Sequence, residues 1–488
     1  MSVDLLNIGT TGLYAAKKSL QTTGHNIANA NTEGYSRQNV KQETSIPIGD
    51  STTVMGSGVF VKDVKRVHDE LIEKRVNSTL SNHKFNEERS LQLGQIEDIF
   101  NEVDSDGLAH LMNKFFNSFR ELAQQPENET VRSIVRENAR VVVSDFHRAR
   151  QTLDMLASNI DKKLAASVDE INLTLQNIAN LNIKISNLEN AHGETGDLRD
   201  QRDLAVKSLA ESFQINVYSN EKGQFNVAAE GIGTLISGGQ HQELMTGQSA
   251  ITGNAESSGN VEVFFKTRPT QSLTLGLKEG TLGALVKTKN TELKNQRDRL
   301  DDIAFELTHT VNAIHKKGFA LQGGSVNFKG EVKNGEGRPL PPTGMNFFKE
   351  PLDRFRAAEY IQLSDEIKAD LNNIATGIDP HTPGDNRIAI AISKLQHEKI
   401  LGGGTTSFEE SYLKTLGDIG LASAKARVDT EQSSGLVAQA KAIKERISGV
   451  SIDEETANMV KFQHSYEASA RVMKTADEMF KTILDMKR

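Results

Sequence analysis

The chain has no cysteine and no tryptophan, and only nine of its 488 residues are proline. Without cysteine there is no disulfide framework, no thiolate zinc site and no cysteine nucleophile. Aromatic residues make up 5% and hydrophobic residues 37%, a lean supply for so long a chain, which favours extended helices over one compact core. Basic side chains are in deficit. The net charge of −8 and pI of about 5.9 leave no basic face for phosphates, so no nucleic acid partner is expected. No apolar run approaches the roughly 18 residues of a membrane span, so no membrane insertion is expected. The first residues carry Asp4 where a secretory leader is basic, and no apolar segment follows, so no cleaved Sec-type signal is expected.

Proline is absent from the first 46 and the last 105 residues, where long helices can run without interruption. In the first stretch Leu6, Gly9, Leu13, Ala16, Leu20, Thr23 and Ile27 fall at strict 3,4 spacing. In the last, Met459, Phe462, Tyr466, Ser469, Met473, Ala476, Phe480 and Ile483 do the same. A 3,4 repeat lays apolar or small groups along one narrow helical seam, which is stable against another helix. The ends are therefore expected to pair as a coiled coil and to pack against further copies. The candidate assembly residues are Leu6, Leu13, Leu20, Ile27, Phe462, Tyr466, Met473 and Phe480.

The first helix is expected over about 4–29, leaving through Asn29-Ala30-Asn31-Thr32-Glu33-Gly34. Residues 38–67 read as extended, with Gly56-Ser57-Gly58 opening a Val59, Val61, Val64 run. From about 68 to 212 the pattern is helical. Its clearest seam runs Leu153, Leu156, Ile160, Leu164, Val168, Ile171, Leu175, Ile178, Leu181, Ile185, Leu188. Residues 214–277 then carry only eight charges and nine glycines, with strand-like runs such as Ile215–Tyr218, Phe225–Val227 and Val261–Phe265. They read as a β-rich insert, with Glu221-Lys222-Gly223 as a hairpin turn. Helix resumes over about 281–316. Residues 317–386 hold six prolines and read as loops and short strands. Final helices are expected at about 387–400, 408–447 and 452–486, the last opened by Ser451-Ile452-Asp453-Glu454.

The expected fold is thus mainly α with a β-rich insert, in a nested layout. Segments 1–45 and 435–488 form a terminal coiled-coil domain, and 46–212 with 278–434 form a helical core of long helices carrying the 317–386 excursion. Segment 213–277 forms an outer β domain.

Catalytic and ligand motifs are missing. Twelve histidines show no HExxH, and His309 and His315, six apart, do not share a helical face. They read as surface histidines. Gly402-Gly403-Gly404-Thr405-Thr406-Ser407 lacks the Lys-Ser/Thr of a phosphate loop and reads as a flexible connection between helices. Asp197, Arg199, Asp200, Arg202 and Asp203 read as solvated ion pairs on a helix. No serine is marked as a nucleophile. The chain is read as no enzyme, with no cofactor and no metal.

The stretch Thr22-Thr23-Gly24-His25-Asn26-Ile27-Ala28-Asn29-Ala30-Asn31-Thr32-Glu33-Gly34-Tyr35-Ser36-Arg37-Gln38 resembles the N-terminal signature of flagellar axial proteins. The far end agrees, with Ser448-Gly449-Val450-Ser451-Ile452-Asp453-Glu454-Glu455, Lys461-Phe462-Gln463 and Tyr466-Glu467-Ala468-Ser469-Ala470-Arg471-Val472. Rod and hook proteins share looser versions; the Gly-Tyr-Ser-Arg-Gln and Ser-Gly-Val-Ser-Ile-Asp-Glu-Glu forms resemble the hook–filament junction type. The resemblance implies a structural subunit, exported unfolded by the flagellar apparatus to the outside of the cell. It implies self-association in a ring, contacts with hook protein and a second junction protein, and an export chaperone on the C-terminal helix. It also implies terminal segments that order on assembly.

Overall fold

The computed structural model describes residues 2–45, 48–50, 53–100, 107–191, 193–219, 224–248, 261–321 and 343–486. In chain order it runs α1 (Ser2–Ala28), β1 (Gln38–Thr44), β2 (Ile48–Asp50), β3 (Thr53–Met55), β4 (Val59–Arg66), α2 (Glu70–Phe100), α3 (Leu108–Gln124), α4 (Glu129–Asn190) and α5 (Gly196–Ser212). Seven short strands follow: β5 (Ile215–Ser219), β6 (Phe225–Ala229), β7 (Gly233–Ser237), β8 (Gln240–His241), β9 (Leu244–Gln248), β10 (Val261–Phe265) and β11 (Arg268–Ser272). The named elements that follow are helices, joined by loops: α6 (Gly280–Lys287), α7 (Lys294–His315), α8 (Ala357–Tyr360), α9 (Asp365–Ala369), α10 (Arg387–Lys394), α11 (Leu401–Gly404), α12 (Phe408–Ser448) and α13 (Ile452–Asp485).

The mainly helical fold with one β-rich insert is what the composition shift at residue 213 led us to expect. The proline-free ends carry the 27-residue α1 and the 34-residue α13, the latter capped by the Ser451 hydroxyl accepting from the Glu454 N–H. The 153–188 seam lies on α4, 62 residues long, and every seam residue but Leu188 is buried. The expected turn at Glu221-Lys222-Gly223 and the 322–342 part of the 317–386 excursion lie outside the described residues.

The chain divides into two compact units. The first joins Met1–Phe85, Ala165–Gly283 and Glu431–Arg488. In it β1 pairs with β4 as an antiparallel hairpin, β5 to β8 form a meander, and β9, β10 and β11 a second small sheet. Asparagines of α4 hold the insert. The Asn172 amide exchanges hydrogen bonds with both backbone groups of Leu244 at 2.8 Å, and Asn182 Nδ2 donates to Gly238 O at 2.7 Å.

The second unit joins Asn86–Leu164 and Ala284–Thr430. Its core is a phenylalanine cluster, Phe115, Phe116, Phe119, Phe347, Phe348 and Phe408, with Phe347 and Phe348 ring centroids 4.9 Å apart. Edge-to-face and tilted ring packing at such distances adds to the area term. His315 packs edge-on against Phe347. It is not a surface histidine as the sequence suggested but is buried, donating from Nδ1 to Met345 O and accepting the Ala375 N–H at Nε2. Burial among uncharged partners holds it neutral, with a pKa lowered to about 4. Gly402, Gly403 and Gly404, all at positive φ, form the turn into α12, a backbone path open to glycine.

Candidate functional site at the paired termini

Helix α1 lies antiparallel on α13. A Cβ on Gly9 would sit 3.1 Å from the backbone N of Met473, and one on Gly12 would sit 3.0 Å from Ser469 Oγ. At the other end the Asn26 side chain reaches Glu455. The face of α1 that is buried is made of small or short polar residues: Gly9, Ala15, Ala16, Ser19, Thr22, Thr23 and Asn26. Small side chains let the helix axes approach closely, so the pairing rests on backbone proximity more than on interlocked leucines. Leu13, Leu20, Ile27, Phe462 and Met473 are half-buried, whereas Leu6, Tyr466 and Phe480 are 37%, 36% and 45% exposed. The hairpin covers another side of α1. Gln42 Nε2 donates to Ser19 Oγ at 3.0 Å, and the Val59 N–H points to Thr11 Oγ1.

Where α1 ends, the turn from His25 to Gln38 builds a polar hub. Val67 N donates to Arg37 O, which makes that level a hydrogen-bonded rung of the hairpin. The next level, Gln38 opposite Arg66, therefore aims the Gln38 N–H and C=O away from β4. The Asn26 side chain takes both: Nδ2 donates to Gln38 O at 2.9 Å, and Oδ1 accepts the Gln38 N–H at 3.0 Å. Asn26 thus stands in for a missing strand. Its Nδ2 also donates to Glu455 Oε2 at 3.0 Å, and its Oδ1 accepts from the Tyr35 hydroxyl at 2.8 Å. Tyr35 in turn accepts from His25 Nδ1. Burial, with Asp197, Asp200 and Glu455 nearby, raises the Tyr35 pKa well above its ordinary value.

Glu455 joins this hub to α13. Its carboxylate is 2% exposed and accepts from Arg37 Nε at 2.8 Å, while Arg37 Nη1 reaches Glu454 at 3.0 Å. A charge so buried is stable because its oxygens are bonded to a cation and an amide. Gln38 Nε2 donates to Asp197 Oδ1 at 2.8 Å, and the Ser36 N–H donates to Asp200 Oδ2 at 3.1 Å, which ties the turn to α5.

The charge run on α5 is therefore solvated only in part: Asp197 and the Arg199–Glu189 pair face water, and the rest does not. Asp200 and Arg202 are each 6% exposed, and Arg66 Nη1 bridges Asp200 and Asp203 at 2.7 Å each. Burial raises the Asp200 carboxyl, and the bonds from Arg66 and Ser36 offset part of that rise. Alternating signs look the same in sequence whether the run faces water or a neighbouring turn. Glu455 and Arg37, the ion pair at the centre, were legible only as an acidic helix start and as part of the motif. Among the described residues no three His, Asp or Glu side chains gather as metal ligands would.

Comparison with known proteins agrees with this geometry. Residues 93–328 match the family described as flagellar hook-associated protein FlgK helical domain. Residues 6–35 match flagella basal body rod protein, and residues 446–486 match the flagellar basal body rod FlgEFG protein C-terminal region. Flagellar hook-associated protein 1 of Bacillus subtilis (strain 168) is 27% identical, with 98% of this chain and 97% of the relative aligned. Its namesake in Escherichia coli (strain K12) is 24% identical over 99% and 100% of the two chains. The solved flagellar hook junction protein FlgK from Burkholderia pseudomallei shares the fold, with a TM-score of 0.64 at 16% identity over 77% of this chain and all of that one. Matched at both ends and through its helical middle, the chain is similar along its whole length to flagellar hook-associated protein 1 and is a structural component of the flagellar axis.

Proposed function

We propose that this chain is a non-enzymatic subunit that joins hook to filament, assembling through α1 and α13. The observation that carries the reading is the half-covered state of that helix pair. Leu6, Ile8, Tyr14, Tyr466, Met479, Phe480 and Ile483 are each more than a third exposed. Burying the exposed third to two thirds of such side chains against neighbouring copies is worth about 0.5–2 kcal/mol apiece, so a ring of copies would stabilise the helix pair further. Leu6, Leu13, Leu20, Ile27, Phe462, Tyr466, Met473 and Phe480 are the residues assigned to that interface. Both ends also match rod proteins, so the ends by themselves would suit another axial subunit. The helical match over 93–328 favours the junction type.

In this reading 1–45 and 435–488 form the assembly domain, 46–212 with 278–434 the helical core, and 213–277 an outer β domain. The subunit leaves the cell through the flagellar export apparatus and forms a ring between hook protein and a second junction protein. The deciding experiment is Leu20→Asp, which sets a charge on the half-buried seam. The variant is expected to fold in its middle and fail to join flagella, giving non-motile cells. Normal motility would overturn the interface assignment. The exposed apolar end of α13 is also the natural grip for an export chaperone. Deleting 452–488 is expected to impair export, and unimpaired export would remove the chaperone from the scheme.

A further inference from the structure

Within the first unit, away from the α1–α13 seam, a cleft of about 220 Å³ opens among α2, α5 and β5. That is room for about seven waters. Its apolar wall is Val206, Ile215, Val217 and Phe225, and Leu71 at 80% exposure stands at its rim. The polar end is Arg202. This guanidinium lies 3.7 Å over the Phe225 ring, and its Nη1 reaches Asn182 Oδ1 at 3.3 Å. Its Nε, though buried, has no hydrogen-bond partner. The nearest carboxylate oxygen, Asp203 Oδ1, stands 3.8 Å away, and the other oxygen of Asp203 is taken by Arg66. Glu73, also on the lining, is held by Lys444 at 2.7 Å, and Glu70 is exposed. Removing a cation from water without a matched anion is unfavourable, and burial lowers the Arg202 pKa to about 10.

We infer that this cleft binds an apolar carboxylate, held by the Arg202 guanidinium at its polar end with its hydrocarbon or aromatic body on Val206, Ile215 and Val217. A carboxylate pairs with a guanidinium through charge as well as hydrogen bonds, and a neutral amide brings no charge. The same chemistry is offered by a free aromatic acid and by the C-terminus of a protein ending in an apolar residue.

The test uses the full chain and two pairs of probes, read by ligand-observed NMR and calorimetry. One pair is 3-phenylpropionate and its amide; the other is acetyl-Ala-Ala-Phe with a free carboxylate and with an amidated end. The acids are expected to bind at least about tenfold more tightly than the amides, and Arg202→Met to remove binding. Leu71→Asp alters only the exposed rim, so it keeps the test decisive should Arg202→Met fail to fold; it is expected to weaken both acids severalfold. Tighter binding of the peptide acid identifies a protein C-terminus as the source, and tighter binding of phenylpropionate a free acid. Equal affinity for acids and amides, no binding at about 10 mM, or unchanged binding in a folded Arg202→Met or Leu71→Asp chain would overturn the inference.

Discussion

Replacing Asn26 by alanine tests the polar hub most directly. The side chain makes four hydrogen bonds of 2.8–3.0 Å, to the Gln38 N–H, the Gln38 C=O, Glu455 and the Tyr35 hydroxyl. Tyr35 keeps His25 and Glu455 keeps Arg37, so those two partners lose strength without being orphaned. The Gln38 backbone has no such reserve on that side. Two orphaned groups at about 1–1.5 kcal/mol each, and one weakened charge-assisted bond at about 1 kcal/mol, sum to about 3–4 kcal/mol. Urea denaturation of the first unit should show that loss. Hydrogen exchange should show it locally, with protection of the Gln38 amide reduced about 100-fold. A loss under about 1 kcal/mol with Gln38 still protected would refute the claim that Asn26 acts as a surrogate strand.

Other perturbations separate close packing from burial. Gly9→Leu places a side chain where a Cβ would already lie 3.1 Å from Met473 N, so α1 should detach from α13. Faster proteolysis of the first 45 residues, with the middle intact, is the expected readout, and an unchanged digest would exclude close backbone approach at that point. In the second unit Asp301 is buried and its pKa is raised to about 6, chiefly by desolvation, although it accepts the Arg356 and Ala358 N–H groups. A raised acid favours folding below the unfolded value near 4 and loses that contribution as pH rises through about 6. Asp301→Asn should therefore gain on the wild type by about 2 kcal/mol between pH 4 and pH 6.5 in urea titrations. A constant difference across that range would rule the carboxyl out as the source.

Reading the sequence alone, the helical ends were legible because periodicity and the absence of proline are local properties, and α1, α4 and α13 obey them. The β insert was legible for the same reason, since its low charge and high glycine content suit short strands. The motif from Thr22 to Gln38 carried the family, although it did not disclose what its residues do. That Asn26 replaces a strand, that Glu455 is buried against Arg37, and that Asp200 faces Arg66 depend on segments up to 429 positions apart meeting in space. His315 and Arg202 teach the same lesson: a titratable side chain has no burial until the fold supplies its neighbours. Sequence determined which segments are helices and which side chains line their seams, because those follow from short-range sterics and spacing. Only the tertiary structure decided which charges leave water and what pairs with them, because desolvation and hydrogen bonding are properties of the assembled surroundings.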